Sequence, residues 1–84
     1  MADKTDISLE IVSAERTLAS CKVDSVELPG TLGRFEVLRD HAPLLSSLAP
    51  GEIVFATDGR TERVAIRGGF VEVADNHVNV CVEV

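Results

Sequence analysis

Aromatic residues are nearly missing from this chain. It has no Trp and no Tyr, and its three Phe make up 4% of 84 residues. With 45% apolar residues, the composition predicts a core of Val, Ile and Leu and disfavours a pocket built from stacked rings. A chain of this length forms one domain and buries only about 60 to 65% of its unfolded surface. We therefore expect a small core of modest stability.

Positive charge is the second scarcity. Eight Lys and Arg stand against fourteen Asp and Glu, which leaves a formal net charge of −6. Duplex nucleic acid and anionic lipid surfaces both attract basic proteins, so the balance argues against either as a direct partner. Another protein, or a basic patch on one, fits this charge better.

Long apolar runs and a secretory signal are also missing. No segment approaches the roughly 18 consecutive apolar residues of a membrane span. The start, MADKTDIS, lacks the basic and apolar regions of a signal sequence. We therefore predict a soluble chain that reaches a membrane only through a partner. Residues 1–6 are polar enough to predict disorder.

The two cysteines, Cys21 and Cys81, are far apart in sequence and do not form a CxxC motif. The sequence allows a disulfide between them, but two buried reduced thiols are favoured in a chain that resembles a cytosolic protein. We predict that both are packing residues.

No segment of a dozen residues has helical periodicity, whereas turn signals recur every eight to twelve residues, as in a β-sandwich or barrel. Ile7, Leu9 and Ile11 alternate with polar residues, which predicts a half-buried strand. Asp58-Gly59 separates two strand-like runs and predicts a tight hairpin. Gly68-Gly69 predicts a bend or a close backbone approach.

The apolar positions between residues 18 and 28 change parity near Asp24. This predicts either two short strands or one strand with a bulge. Together the patterns predict an all-β fold, a two-sheet antiparallel β-sandwich of about eight to ten short strands. The strands are expected near residues 7–13, 17–28, 35–38, 44–49, 52–57, 61–67, 69–74 and 77–83.

Two runs, residues 53–56 and Phe70-Val71, are apolar at consecutive positions. Both faces of these strands are therefore apolar, and the second face needs a cover. From the residues alone, that cover is either the chain's own loops or another subunit on an exposed apolar patch.

Residues 26–53, VELPGTLGRFEVLRDHAPLLSSLAPGEI, place a turn, a short strand, a charged loop and an apolar stretch in fixed order. A second motif, RGGFVEV, occupies residues 67–73, and the run HVNVCV follows at residues 77–82. This order resembles the N-terminal β-sandwich domain of the ATP synthase epsilon subunit from about residue 7 to residue 83. Two linked motifs at the expected separation are a specific signal.

The resemblance implies a non-catalytic rotor subunit of the central stalk, which helps to pass proton-driven rotation to ATP synthesis. It implies no cofactor, no metal and no nucleic acid, and a place at the cytoplasmic face of the bacterial inner membrane. The implied contacts with the gamma subunit lie on one apolar flank: Val12, Ser13, His41, Leu44, Leu45 and Ser46. The implied contacts with the ring of c subunits are charged: Arg34, Glu36, Arg39 and Asp40.

The chain departs from the family pattern at several places. Arg39-Asp40 stands where relatives commonly have Pro-Gly, Arg34 where an acidic residue is frequent, and Glu36 where a glycine is frequent. The charge pattern offered to the ring is therefore expected to differ. The sequence printed here also lacks the two C-terminal helices of many members, so self-inhibition by them and ATP binding through them are not expected.

Two other classes of protein remain as alternatives. One is a β-sandwich interaction module with Cys21 and Cys81 joined in a disulfide. The other is a small hydrolase or isomerase using His41, Asp40 and Ser46, although no nucleophile elbow surrounds the serine. Without the resemblance, a lone His in a loop is more simply a structural or surface residue.

Overall fold

A computed structural model describes residues 7–84 of the chain as nine strands joined by short turns. The predicted disorder of residues 1–6 lies outside the described residues. The strands are β1 (Ile7–Val12), β2 (Thr17–Val23), β3 (Ser25–Gly30), β4 (Gly33–Val37), β5 (Leu44–Leu48), β6 (Gly51–Thr57), β7 (Arg60–Ile66), β8 (Gly68–Ala74) and β9 (His77–Glu83).

The strands form two layers. The first sheet has the order β2-β1-β9-β8-β5, and the second has the order β4-β3-β6-β7. The layers are joined at one corner, where Gly30 of β3 pairs with Leu48 of β5. Two backbone hydrogen bonds reinforce this corner: Thr31 N donates to Ser47 O at 3.1 Å, and Ala49 N donates to Pro29 O at 2.7 Å. The predicted all-β sandwich is therefore confirmed, as a strongly curled sheet.

Alternation along the strands fills the space between the layers with aliphatic side chains. Every one of the nine strands contributes to this core, and no charged or polar side chain is buried in the described part of the chain. The members are Ile7, Leu9, Ile11, Val23, Val26, Leu28, Val37, Leu48, Ile53, Phe55, Ile66, Val71, Val73, Val78, Val80 and Val82.

The turns follow the predicted chemistry. Asp58 and Gly59 both have positive φ, 50° and 77°, as a two-residue type I′ hairpin requires, and they join β6 to β7. Asp75 and Asn76, with φ of 52° and 61°, make the same kind of turn between β8 and β9. Asp and Asn are the side chains that best tolerate this left-handed region after glycine.

Gly69 is placed by a close backbone approach. Its φ is 147°, and a Cβ atom there would lie 2.1 Å from the Cys81 carbonyl oxygen of β9. Only glycine fits at that distance, which confirms the predicted close approach for Gly69.

Two details differ from, or decide between, the sequence expectations. The chain breaks at Asp24 into two separate strands, so the bulged single strand over residues 17–28 is wrong. Asp24 N donates to Ala56 O at 2.7 Å, which holds the break against β6. β1 also pairs with β9 in parallel, because the chain returns to the first sheet after building the second; all other pairs are antiparallel.

Candidate functional site

The outer face of the first sheet carries an apolar patch. The register aligns Val12 with Cys81 and Cys81 with Phe70, so these side chains share a face. Ser47 of β5 pairs with Phe70. Leu45 is two residues before Ser47 and therefore points to the same face. Phe70 is 52% exposed and Leu45 is 73% exposed. We call Val12, Leu45, Phe70 and Cys81 the Phe70 patch.

A shallow groove deepens the patch at one end. It has a volume of ≈ 510 Å³ and runs between the turn after β1 and the start of β8. Ser13, Ala14, Gly69, Val82 and Glu83 complete its lining. An apolar surface with a groove of this kind is typical of a protein interaction site.

A second groove follows the open edge of the sandwich between β4 and β5. Its volume is ≈ 440 Å³, and it is lined by Leu32, Phe35, His41, Leu44 and Ser46, with Arg34 and two glycines at one end. We call it the His41 groove. It exists because β5 pairs with β3 only at Leu48, so the layers separate along the rest of that edge.

The six residues predicted to contact gamma divide between these two surfaces. Val12, Ser13 and Leu45 belong to the Phe70 patch or its groove, whereas the other three line the His41 groove. The division follows from alternation, because Leu44 and Ser46 point to the inner side of β5 and Leu45 to the outer side. The six residues therefore do not share the one apolar flank expected from the sequence: they lie on two surfaces, and Val12 and Ser13 are three strands away from β5. Their contact with gamma stays a prediction.

The four residues predicted to contact the ring divide as well. Arg34 and Glu36 lie on β4 and not in a loop. Arg34 Nε donates to Glu27 Oε1 at 3.0 Å, and Glu27 pairs with Glu36 across the strands. These three side chains form one charged cluster on the outer face of the second sheet.

Arg39 and Asp40 lie at the opposite end of β4. A strand rises about 3.3 Å per residue, so the two ends of β4 are roughly 13 Å apart. The Asp40 carboxylate lies 3.9 Å from Arg39 Nε and accepts a hydrogen bond from Asn76 Nδ2 at 3.1 Å. The structure thus gives Asp40 partners within its own chain, and these are separate from the Arg34–Glu27 pair.

The remaining outer face of the second sheet is charged and internally paired. Arg63 Nη1 of β7 lies 3.4 Å from Glu52 Oε1 of β6, and Val54, half-buried, lies between the two ion pairs in the register. The second apolar face of β6 is therefore covered in part by its own charged neighbours.

The cysteines correct one expectation and exclude one alternative. Cys21 is half-buried against the core, but Cys81 is exposed on the Phe70 patch, so the prediction that both pack inside is wrong for Cys81. β1 separates their strands by about 9.6 Å. The two cysteines also pair with positions three residues apart on β1, Leu9 and Val12, and point to opposite faces, so they are farther apart still. A disulfide requires Cα atoms within about 7 Å, so the stapled module is excluded.

The hydrolase alternative gains no support from the hydrogen bonds. Ser46 Oγ donates to the Ser47 carbonyl at 3.1 Å. His41 Nδ1 lies 2.6 Å from the Ala42 carbonyl, and Asp40 is bonded to Asn76. Hydroxyl, imidazole and carboxylate therefore each bond to a different group, and no relay connects them.

Two further observations bear on the kind of site. Over residues 7–84, no three His, Cys, Asp or Glu side chains converge in a way that would hold a metal ion. The same residues contain no helix with the length and apolarity of a membrane span.

Sequence reasoning missed two apolar residues that line the His41 groove, Leu32 and Phe35, and left the direction of Phe70 open. Leu32 stands fully exposed at the tip of the β3–β4 turn, at 103% relative exposure. The Phe70-Val71 pair signalled a second apolar face, but only the register of β8 shows that Phe70 points outward. No sequence signal distinguishes Leu32 from an ordinary turn residue.

Residues 6–84 match the family described as ATP synthase, Delta/Epsilon chain, beta-sandwich domain. The ATP synthase epsilon chain of Carboxydothermus hydrogenoformans is 46% identical over 80 residues, which cover 95% of this chain and 58% of the relative. That of Nitratidesulfovibrio vulgaris (strain DP4) is 44% identical over 77 residues, 92% of this chain and 58% of the relative. The chain thus spans little more than half the length of these curated relatives.

Solved structures share the fold. A chain in a cryo-EM structure of Euglena gracilis mitochondrial ATP synthase (OSCP/F1/c-ring) matches with a TM-score of 0.85 at 22% identity, over 98% of this chain and 52% of that one. A chain of the Tetrahymena thermophila mitochondrial ATP synthase central stalk and c-ring matches with a TM-score of 0.76 at 14% identity, over 99% and 67%. With the family match over nearly all residues and the identity to curated epsilon chains, the chain belongs to the ATP synthase delta/epsilon family, as its β-sandwich domain.

Proposed function

We propose that this domain is the non-catalytic, rotor-side part of a rotary, proton-translocating ATP synthase. It binds the gamma subunit and the c-ring of the central stalk and helps to couple proton flow to ATP synthesis. The match of residues 6–84 to the family carries this proposal. The uncovered Phe70 patch supports it, since a coupling part needs a surface for a partner.

Gamma binds around β5 in this proposal. The Phe70 patch lies on one side of that strand and the His41 groove on the other, so a partner that grips the β5 edge touches both. A stable interface takes about 800 Å² from each partner, which is roughly 15% of the 5190 Å² accessible surface of this chain. The two surfaces together supply an apolar centre with polar rims, as such interfaces have.

The c-ring meets the end of the sandwich that carries the β3–β4 turn. Leu32 protrudes there, and Arg34 follows it with Glu27 and Glu36 beside it. An apolar tip ringed by both signs of charge fits a polar surface whose charges are complementary. Arg39 and Asp40, at the far end of β4, are not needed for this contact.

In this proposal the domain is peripheral to the membrane, and the complex holds it at the cytoplasmic face of the bacterial inner membrane. The domain itself supplies no cofactor chemistry and no ATP site. Its contribution is mechanical, because an interface that does not slip under load passes rotation from the ring to gamma.

A pull-down and a thermal shift test this function. Gamma and the c-ring should be recovered with the tagged chain from solubilised membranes. Purified gamma at 100 times Kd should stabilise the native state by about 2.7 kcal/mol, which raises Tm by about 10 °C or more for a domain this small. Recovery of neither partner, together with an unchanged Tm at saturating gamma, would overturn the proposal.

A further inference from the structure

A pair of side chains ties the loop that carries His41 to the other layer of the sandwich. Asp40 N donates to Asn76 Oδ1 at 2.6 Å, and Asn76 Nδ2 donates to Asp40 Oδ1 at 3.1 Å. The two residues are 36 positions apart in sequence. Each therefore satisfies the other reciprocally, just beyond the Leu44–Val73 end of the β5–β8 ladder.

The backbone at both residues is set for this contact. Asp40 has φ of 64° at the third position of a turn closed by His41 N donating to Leu38 O at 3.2 Å. A positive φ there is the pattern of a type II turn, which favours glycine. Asp40 occupies a glycine-like position, and its side chain gains a partner that glycine would not have.

Asn76 is in turn fixed by its surroundings. It lies in the type I′ turn of the β8–β9 hairpin, and its carbonyl accepts a hydrogen bond from Ser8 N of β1 at 2.8 Å. The loop is therefore anchored to a point where three strands of the first sheet meet. The anchor thus fixes a segment, residues 38–43, that connects β4 to β5 outside any strand.

We infer that Asp40 and Asn76 are positioning residues for partner binding: they hold the 38–43 loop so that His41 lines the groove beside β5. This inference rests on the proposed function, because it concerns the same gamma surface. It also gives Asp40 a different role from the ring contact expected from the sequence. A preset loop does not have to be ordered when the partner binds, which strengthens binding.

Glycine substitutions test the pair without disturbing the turns, because glycine accepts a positive φ. Asp40→Gly removes the carboxylate, and Asn76→Gly removes both bonds. Asp75→Gly is the matched control, since Asp75 lies in the same turn with φ of 52° and no described hydrogen bond. The double variant Asp40→Asn/Asn76→Asp exchanges amide and carboxylate, so that the side chain at position 40 donates and that at position 76 accepts.

The expected result has two parts. In Asn76→Gly, exchange of the backbone amide hydrogens of residues 40 and 41 should accelerate roughly five- to thirtyfold, the loss of one to two hydrogen bonds. Exchange at Val80 in the core and the Tm should change little. Gamma affinity should fall about fivefold or more in both glycine variants, stay unchanged in Asp75→Gly, and return in the exchanged double variant.

Each contrary result has its own meaning. Unchanged amide exchange in Asn76→Gly would show that the pair does not hold the loop. Faster exchange with unchanged gamma affinity would show that the loop does not matter for binding; either result overturns the inference and leaves the proposed function standing. If the unsubstituted chain did not bind gamma, the proposed function would fall first, and the positioning role with it. A variant that fails to fold is replaced by the exchanged double variant, whose affinity must exceed that of Asn76→Asp alone if the inference holds.

Discussion

The outer faces of the two sheets are built on different principles. On the second sheet, Glu27 with Arg34 and Glu52 with Arg63 make ion pairs within the chain, around the half-buried Val54. On the first sheet, Phe70 and Leu45 are exposed beside Val12 and Cys81. One face satisfies its own side chains and the other leaves apolar area in water. The difference places the exposed apolar area of the two outer faces on the first sheet, as is typical of a protein interaction surface.

Two glycines compare a tight strand pairing in the first sheet with an open turn in the second. Gly69→Ala would put a methyl group 2.1 Å from the Cys81 carbonyl oxygen, so β8 and β9 would have to separate. We expect a loss of about 3 kcal/mol or more in the free energy of unfolding, as strained and overpacked sites give. Urea unfolding followed by circular dichroism measures it.

Gly59→Ala is the control on the second sheet. Gly59 has φ of 77° with nothing within 4 Å of a Cβ atom, so only the backbone preference opposes the change, at a cost of about 1 kcal/mol. If Gly69→Ala and Gly59→Ala lost the same free energy of unfolding, the close approach at Gly69 would add nothing to the backbone cost.

Phe70→Ser breaks the apolar face directly. Because Phe70 is half exposed, its loss should change folding stability by less than about 1 kcal/mol. Gamma affinity should fall by about 2 kcal/mol or more, roughly thirtyfold, as for an aromatic residue at the centre of an interface. Isothermal titration with purified gamma gives the number.

Val54→Ser, on the outer face of the second sheet, is the matched truncation. It should leave gamma affinity within about twofold, since that face is not part of the proposed surface. If Val54→Ser lost more gamma affinity than Phe70→Ser, gamma would bind the second sheet and the proposed surface would be wrong.

The charged cluster at the β3–β4 turn gives a smaller effect. Arg34→Glu and Glu36→Lys should weaken docking to detergent-solubilised c-ring, while folding stability changes by only about 0.2 to 1 kcal/mol, the usual contribution of an exposed ion pair. Raised salt should reduce the difference in c-ring affinity between each variant and the unsubstituted chain, because salt screens exposed charges. Arg39→Glu serves as the control at the far end of β4, and a docking loss as large as that of Arg34→Glu would mean that the ring contact extends along the whole strand.

The sequence predicted much of the fold because its signals were local. The Asp58-Gly59 hairpin, the alternation of Ile7, Leu9 and Ile11, and the close approach at Gly69 each rest on a few adjacent residues and are confirmed. The parallel pairing of β1 with β9 had no such signal, because it joins the two ends of the chain.

The candidate site was harder to predict for the same reason. His41, Leu44 and Leu45 are neighbours in sequence, yet alternation along β5 sends Leu44 and Leu45 to opposite faces. The sequence assigns Asp40 to the ring contact, whereas the structure pairs its carboxylate with Asn76 of another hairpin. Which side chains share a surface depends on strand register and on long-range contacts, and neither can be inferred from a single sequence.

The two thiols compare a half-buried side chain, Cys21, with an exposed one, Cys81. Of the changes proposed here, their modification is expected to have the smallest effect. Burial, and next to it the Glu62 carboxylate, raise the pKa of Cys21 above its ordinary value, whereas Cys81 is exposed. Since the thiolate is the reactive form, we expect iodoacetamide at neutral pH to modify Cys81 first, as followed by mass spectrometry of the intact chain.

The pH dependence of the same reaction follows from the sign of the shift. A raised folded-state pKa means that folding favours the neutral thiol, so this contribution to stability is complete below the unfolded pKa and is lost as pH rises through the folded one. Because the pKa of Cys21 is raised, its modification should accelerate only as the pH becomes alkaline. The substitution Cys81→Ser should leave the rate of Cys21 modification unchanged. Bound gamma should protect Cys81, at the centre of the Phe70 patch, and not Cys21. Protection of Cys21 alone would move the interface to the edge of β2, away from the face that the exposed apolar residues indicate.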